Sequence, residues 1–231
     1  MTPSPDRFSA YRATLPIVAP ERPPITPVDA REAAQPPVWE PLRPPAGAPN
    51  VLVILIDDMG FGATSAFGGP CETPTAERLV EGGLRFSRFH TTALCSPTRA
   101  ALLTGRNHHS VGMSAITEIA TAFPGSNSVR PPSAAPIAEM LKLNGYNTAC
   151  FGKWHELPVW EASIFGPYDH WPTGEGFEKY YGFLGGETDN YHPTLFEGTA
   201  AIEAPADPDY HLSADLATRT IAYIREQKSA T

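Results

Sequence analysis

Three short groups of residues in this sequence carry side chains able to do chemistry. In Cys95-Ser96-Pro97-Thr98-Arg99 a thiol and a guanidinium lie four residues apart. Serine followed by proline is a helix start, with serine at the N-cap and proline at the first helical position. The spacing therefore predicts Cys95 immediately before a helix and Arg99 in its first turn. Free backbone N–H groups and the positive end of the helix dipole would face an anion held beside Cys95. The Arg99 fork suits sulfate or phosphate oxygens. A buried structural cysteine beside a surface arginine is equally compatible with this local pattern.

Asp57-Asp58 is the second group. Adjacent carboxylates repel unless a cation or hydrogen-bond donors neutralise them, and hard cations such as Ca²⁺ or Mg²⁺ prefer such oxygen ligands. A solvated turn whose aspartates cap backbone groups is the plainer alternative. The third group is Gly152-Lys153-Trp154-His155. Two apart on an extended chain, Lys153 and His155 would face one side, offering a cation for substrate oxygens and a proton-transfer group. A solvent lysine and a loop-satisfied histidine would read the same way.

Something must bring these groups together. Val51–Ile56 is apolar without alternation, the pattern of a strand covered on both faces, and Asp57-Asp58 lies at its carboxyl end. Thr73-Pro74 and Gly82-Gly83 bracket a helix over 74–82, followed by a strand near 84–90. Ser96-Pro97 and Gly105 bracket a helix over 97–104. A helix over 136–144 would turn Ile137, Met140 and Leu141 to one face, ahead of a strand over 147–151. Residues 152–211 show no periodicity and read as loop with short elements. Ser213 then caps a helix to about Lys228, with Ala217, Ile221 and Ile224 inward. Alternating strands and helices predict an α/β fold, a mainly parallel sheet with helices on both faces. Ligands in such folds sit beyond the carboxyl ends of strands, where Asp57, Asp58 and Lys153 fall.

Composition narrows the function classes. With 17 basic and 25 acidic residues the 231-residue chain carries a formal charge of −8, which argues against a general binder of nucleic acid or anionic membrane. Its longest apolar run is far short of the ~20 residues that span a bilayer. Neither a signal peptide nor a CxxC pair is visible, and Cys71, Cys95 and Cys150 cannot all pair, so a reducing, cytoplasmic setting is expected. Half of the prolines fall in the first 50 residues. Residues 1–47 are thus expected to form an extended segment, docked in part through Phe8, Tyr11, Ile17, Val38 and Trp39, ahead of a folded portion over 48–231.

The order Asp-Asp, Cys-x-Pro-x-Arg, Gly-Lys-x-His closely resembles the type I sulfatases of the alkaline phosphatase-like superfamily. The likeness runs on through Ala100-Ala101-Leu102-Leu103-Thr104-Gly105-Arg106. It also includes Asn107-His108-His109-Ser110-Val111-Gly112 and Gly182-Phe183-Leu184-Gly185-Gly186-Glu187, phrases similar to those of large bacterial arylsulfatases. The resemblance implies that a maturation enzyme oxidises Cys95 to Cα-formylglycine, whose hydrate attacks the sulfur of a small-molecule sulfate ester and later expels sulfate by re-forming the aldehyde. It implies Asp57, Asp58 and modified Cys95 as ligands of Ca²⁺ (or Mg²⁺), Arg99 holding the hydrate, Lys153 on sulfate oxygens and His155 on the second hydroxyl. His108 and His192, the latter beside Asp189, are further candidates for contact with substrate. His90, His170 and His211 are expected to be structural, and Cys71 and Cys150 inert. Sulfatases continue past a helix like 213–228 into a further strand, a second histidine, an Asp-Asn metal pair and a second lysine. The resemblance therefore implies a domain incomplete at its C-terminus. A phosphonate monoester or phosphodiester hydrolase of the same superfamily, and a catalytically incomplete fragment, are the competing functions.

Overall fold

The structure, a computed structural model, describes residues 26–29, 31–33 and 42–230. The chain divides into two units, residues 1–41 and 42–231. In the first, Arg31 and Asp29 form an exposed ion pair at 2.6 Å. Phe8, Tyr11, Ile17, Val38 and Trp39, expected to dock, lie outside the described residues.

The second unit is built on a four-stranded sheet in the order β1 (Ala149–Lys153), β2 (Lys179–Phe183), β3 (Leu195–Glu197) and β4 (Ala200–Ile202). β1 and β2 run parallel, while β2–β3 and β3–β4 are antiparallel. The α/β class holds, but the described sheet is mixed where mainly parallel pairing was expected. Pleating sends successive side chains of β2 to opposite faces. Tyr180 joins one core with Trp154, Leu157, Trp171, Leu184 and Phe196. Tyr181 joins another with Leu195, Tyr210 and Leu212. Aromatic rings dominate the first: Trp171 meets Phe196 edge-on at 5.3 Å between centroids, a favoured packing.

Among the described residues four α-helices accompany this sheet along the chain. α1 spans Pro74–Gly82 as expected, started by its proline. Thr73 gives no side-chain cap, because its hydroxyl bonds Ser65 Oγ at 3.0 Å instead. α2 spans Cys95–Thr104 and ends at Gly105, whose left-handed φ of 65° lets its N–H reach Ala101 O at 2.9 Å. Its start corrects the expectation. The N-cap is Leu94, so Cys95 lies inside the first turn. Thr92 fixes this entry: its hydroxyl receives the Leu94 N–H at 3.4 Å and bonds Thr98 Oγ1 at 2.7 Å. Ser96 is buried and caps nothing.

α3 is short, Ile137–Lys142, and buries Ala138, while Ile137 and Met140 are exposed. α4, Leu212–Ala230, lies against the sheet through Leu212 and Leu216. Ala217, Ile221 and Ile224, expected inward, are exposed. A cluster at the start of α4 sets its facing. Asp215 accepts hydrogen bonds from the Tyr181 and Tyr210 hydroxyls, and Arg219 lies 4.5 Å from the Tyr181 ring centroid.

Two expected strands are absent from the described residues. Val51–Ile56 is neither paired nor buried; Ile54 is 71% exposed. Residues 84–90 likewise form no ladder, with Leu84, Phe86 and Phe89 exposed. Both runs have strand composition, yet neither pairs with a described strand, and apolarity alone does not create a ladder.

Candidate active site

Cys95, Arg99, Lys153, His155 and Asp57 come together, although they lie on segments far apart in sequence. β1 ends with Lys153, two residues later than the expected strand over 147–151. Beyond the ladder the chain stays tied to the segment following β2. The Trp154 N–H donates to Phe183 O at 2.9 Å and the His155 N–H to Leu184 O at 3.0 Å. His155 adopts a left-handed φ of 53°, uncommon for a residue with a side chain. That twist, rather than simple strand alternation, directs its ring to Cys95.

The His155 Nδ1 lies 3.1 Å from Cys95 Sγ. Its Nε2 lies 2.8 and 3.0 Å from the two carboxylate oxygens of Glu118. Glu118 sits on a single 3₁₀ turn, Thr117–Ile119. The sequence offered little to single it out beyond one acid within Ile116-Thr117-Glu118-Ile119-Ala120. Burial lowers the affinity of His155 for a proton and outweighs the opposing pull of Glu118, so its pKa falls below the ordinary value. Burial works to raise the Glu118 pKa, but its bonds to His155 and to backbone prevail and lower it.

The other half of the cluster is ionic. Arg99 donates from one terminal nitrogen to Lys153 O at 2.9 Å and from the other to Asp57 Oδ1 at 3.0 Å. Lys153 Nζ donates to Asp57 Oδ2 at 2.6 Å. Both cations are nearly buried, whereas 37% of the Asp57 side chain is exposed. Partial burial would raise the Asp57 pKa, yet Lys153 and Arg99 together hold it below the ordinary carboxylate range. Asp58 follows with a left-handed φ of 53°.

Glu156, next to His155 in the chain, belongs to a charged group that the sequence reading missed. Arg130 and Glu156 are buried and paired at 3.2 Å, and Arg130 also meets Glu175 at 2.6 Å. Burial pushes the Glu156 carboxyl up to about 8 despite Arg130. Loss of hydration in the interior is the main cause, and the neighbouring Glu175 carboxylate adds a smaller push in the same direction. The one sequence signal was an acid embedded in Trp154-His155-Glu156-Leu157-Pro158.

Several candidates stand apart from this cluster. His108 Nδ1 bonds Met113 O at 2.8 Å and its ring packs on His109. His192 is exposed, its backbone N–H donating to Asp189 Oδ1 at 2.7 Å. His170 is tied to Glu161 at 2.8 Å, as expected of a structural residue; His211 Nδ1 accepts the Ser213 N–H, and His90 is exposed. Burial lifts the Cys150 thiol to about 12, in keeping with an inert cysteine inside a strand, while Cys71 is exposed.

The fit to a divalent cation and to a hydroxylated residue 95 can be judged from donors alone. Asp57 and Asp58 offer hard carboxylate oxygens, the donor type that Ca²⁺ and Mg²⁺ take, but fewer than the ~6–8 that Ca²⁺ collects. Among the described residues no three His, Cys, Asp or Glu side chains gather as a metal site. Beside Cys95, Ser96 Oγ and Arg99 Nε are buried without hydrogen-bond partners. Arg99 lies one helical turn from residue 95, so its Nε–H is a spare donor on the helix face that carries that residue.

Comparison with known proteins bears on the same segment. A family model described as Sulfatase matches residues 49–231. The chain is 33% identical over 153 residues to an arylsulfatase of Klebsiella aerogenes, covering 65% of this chain and 31% of the relative. Arylsulfatase A of Bos taurus is 39% identical over 140 residues, covering 59% and 25% respectively. Among solved structures, one titled as the crystal structure of Ps i-CgsB superposes with a TM-score of 0.61 at 25% identity, over 74% of this chain and 40% of that one. A sulfatase from Pseudoalteromonas sp., PsFucS1, gives a TM-score of 0.57 at 22% identity, over 79% and 41%, a likeness of fold. The chain spans about a quarter to a third of the length of the curated relatives it matches.

Proposed function

Because the chain belongs to the sulfatase family, we propose that residues 48–231 carry the nucleophile side of an active site that hydrolyses small-molecule sulfate monoesters, with residue 95 as nucleophile. One observation carries this reading: Cys95, Arg99, Lys153 and His155, drawn from α2 and the end of β1, converge within hydrogen-bonding reach. The family works with a divalent cation and a formylglycine. Here a maturation enzyme would convert Cys95. Asp57 and Asp58, with an oxygen on the converted residue, would hold Ca²⁺ or Mg²⁺. When present, the cation offsets charge on the sulfate oxygens and the formylglycine supplies the attacking hydroxyl.

The chain's own residues then have separable tasks. Lys153 and Arg99 bring two cationic side chains together on one carboxylate, Asp57. A sulfate monoester is anionic and would repel a nucleophile. Fixed cations cancel that repulsion and favour the charge that develops on the leaving oxygen, and their orientation is already set before substrate arrives. His155, kept neutral by burial, has Nδ1 3.1 Å from Cys95 Sγ, a place from which it would accept a proton from the converted residue and return it.

Two measurements test this. Peptide mass spectrometry after co-expression with a maturation enzyme should find an aldehyde at residue 95; a thiol alone would remove the formylglycine. Purified chain carrying the aldehyde should hydrolyse an aryl sulfate faster than the phosphate or phosphonate ester of the same phenol. Preference for a phosphorus ester would instead establish the phosphonate or phosphodiester hydrolase, and no turnover at all would establish the catalytically incomplete fragment.

A further inference from the structure

We propose that Glu118 is a positioning residue, which fixes the ring orientation and tautomer of His155 so that Nδ1 turns a lone pair toward the reacting atom of residue 95. The task of residue 95 rests on the sulfatase reading, whereas the geometry of Glu118 and His155 does not.

Donor and acceptor bookkeeping carries the argument. A carboxylate only accepts hydrogen bonds. Both Glu118 oxygens lie within 3.0 Å of His155 Nε2, so Nε2 must carry the proton. In a neutral imidazole the other nitrogen is then the acceptor, and that nitrogen is Nδ1, 3.1 Å from Cys95 Sγ. The second nitrogen of a working histidine is commonly set this way by a carboxylate or carbonyl behind it.

Two further contacts and burial constrain the ring. The His155 backbone is pinned by its N–H bond to Leu184 O. Gly186 supplies a bed for the ring: a Cβ there would come within 2.9 Å of His155 Cε1 and 3.1 Å of Nε2. The imidazole is 3% exposed, so water does not compete for Nε2. Gly186 sets the plane and Glu118 sets which nitrogen faces Cys95. The Glu118 side chain is itself 45% exposed, so removing it opens His155 Nε2 to solvent rather than leaving the donor unpaired in a dry interior. Its removal should change the histidine rather than the fold.

The test uses the full chain with ¹⁵N-labelled histidine. In wild type, the His155 resonances should report the Nε2–H tautomer, with a downfield Nε2–H proton in slow exchange. In Glu118→Ala that proton should be lost to exchange and the Nδ1–H form should appear. Glu118→Gln, whose amide carbonyl accepts from Nε2, should restore the wild-type signature. In converted enzyme, Glu118→Ala should lower kcat by about 10–100-fold with KM within about twofold, since the lost function acts on proton transfer. An unchanged tautomer in Glu118→Ala, or an Nδ1–H form in wild type, would overturn the proposal. If wild type lacks sulfate ester hydrolysis while the histidine signature still follows Glu118, the positioning role stands and the hydrolase reading falls.

Discussion

The segment 51–56 and strand β2 make an instructive pair. Val51-Leu52-Val53-Ile54-Leu55-Ile56 is wholly apolar, whereas Lys179-Tyr180-Tyr181-Gly182-Phe183 contains a charge, two phenols and a glycine. The second is the buried strand. β2 has a neighbour on each side, and its two tyrosines enter separate cores. The first has no ladder and stays exposed. Burial requires something to be buried against, and local composition does not supply it. The same contrast divides the candidate site. In its Cys95–His155 half the histidine backbone is bonded to the segment that follows β2, while its Asp57 half follows the 51–56 segment and is fixed by two ion pairs.

Mutation can break this comparison. Trp171→Ala, in the core behind β2, should cost about 3–5 kcal/mol of stability, read as a shift in urea midpoint at constant m-value. A loss below about 1 kcal/mol would mean that the aromatic core does not hold the sheet. Lys153→Ala should lower turnover of an aryl sulfate by about 10²–10³-fold while shifting stability little, because its partner Asp57 is more than a third exposed. An intact rate would remove Lys153 from contact with sulfate.

Glu156 sharpens the comparison through pH. Its carboxyl is raised from the ordinary 4.5 to about 8 by burial, so the folded chain binds a proton that the unfolded chain releases between those values. Stability from this group is complete below about 4.5 and is lost as pH climbs toward 8. Urea titrations across that window should show a downward slope in wild type that Glu156→Gln flattens. Matching slopes would mean that Arg130 keeps Glu156 ionised. The smallest effect belongs to Ile54→Ser. At an exposed position it should change stability by no more than about 0.5 kcal/mol, and a cost above about 2 kcal/mol would show that the 51–56 segment is covered after all.

Short spacings were the legible part of the site. Cys95 and Arg99 fall on one helical turn wherever the helix starts, so a start displaced to Leu94 left both on the same face of α2. Lys153 and His155 were legible as a pair, but the reason differed, since the left-handed backbone at His155 is invisible in composition. Glu118 was missed because it reaches His155 across 37 residues from a single 3₁₀ turn. Arg130 with Glu175 was missed for the same kind of reason. For α4 the sequence pointed to Ile221 and Ile224 as the inner face, yet Asp215 bonded to two tyrosines turns Leu212 and Leu216 inward instead.

By itself, then, the sequence determined which reactive groups this protein carries and how those within a turn of one another are spaced, because backbone geometry alone relates residues so close along the chain. Tertiary structure decided which distant residues meet: that Asp57 binds Lys153 and Arg99, that Glu118 backs His155, and that the most apolar run stays exposed. Contacts across tens of residues depend on how layers pack and on which groups lose water together, and no local pattern encodes that.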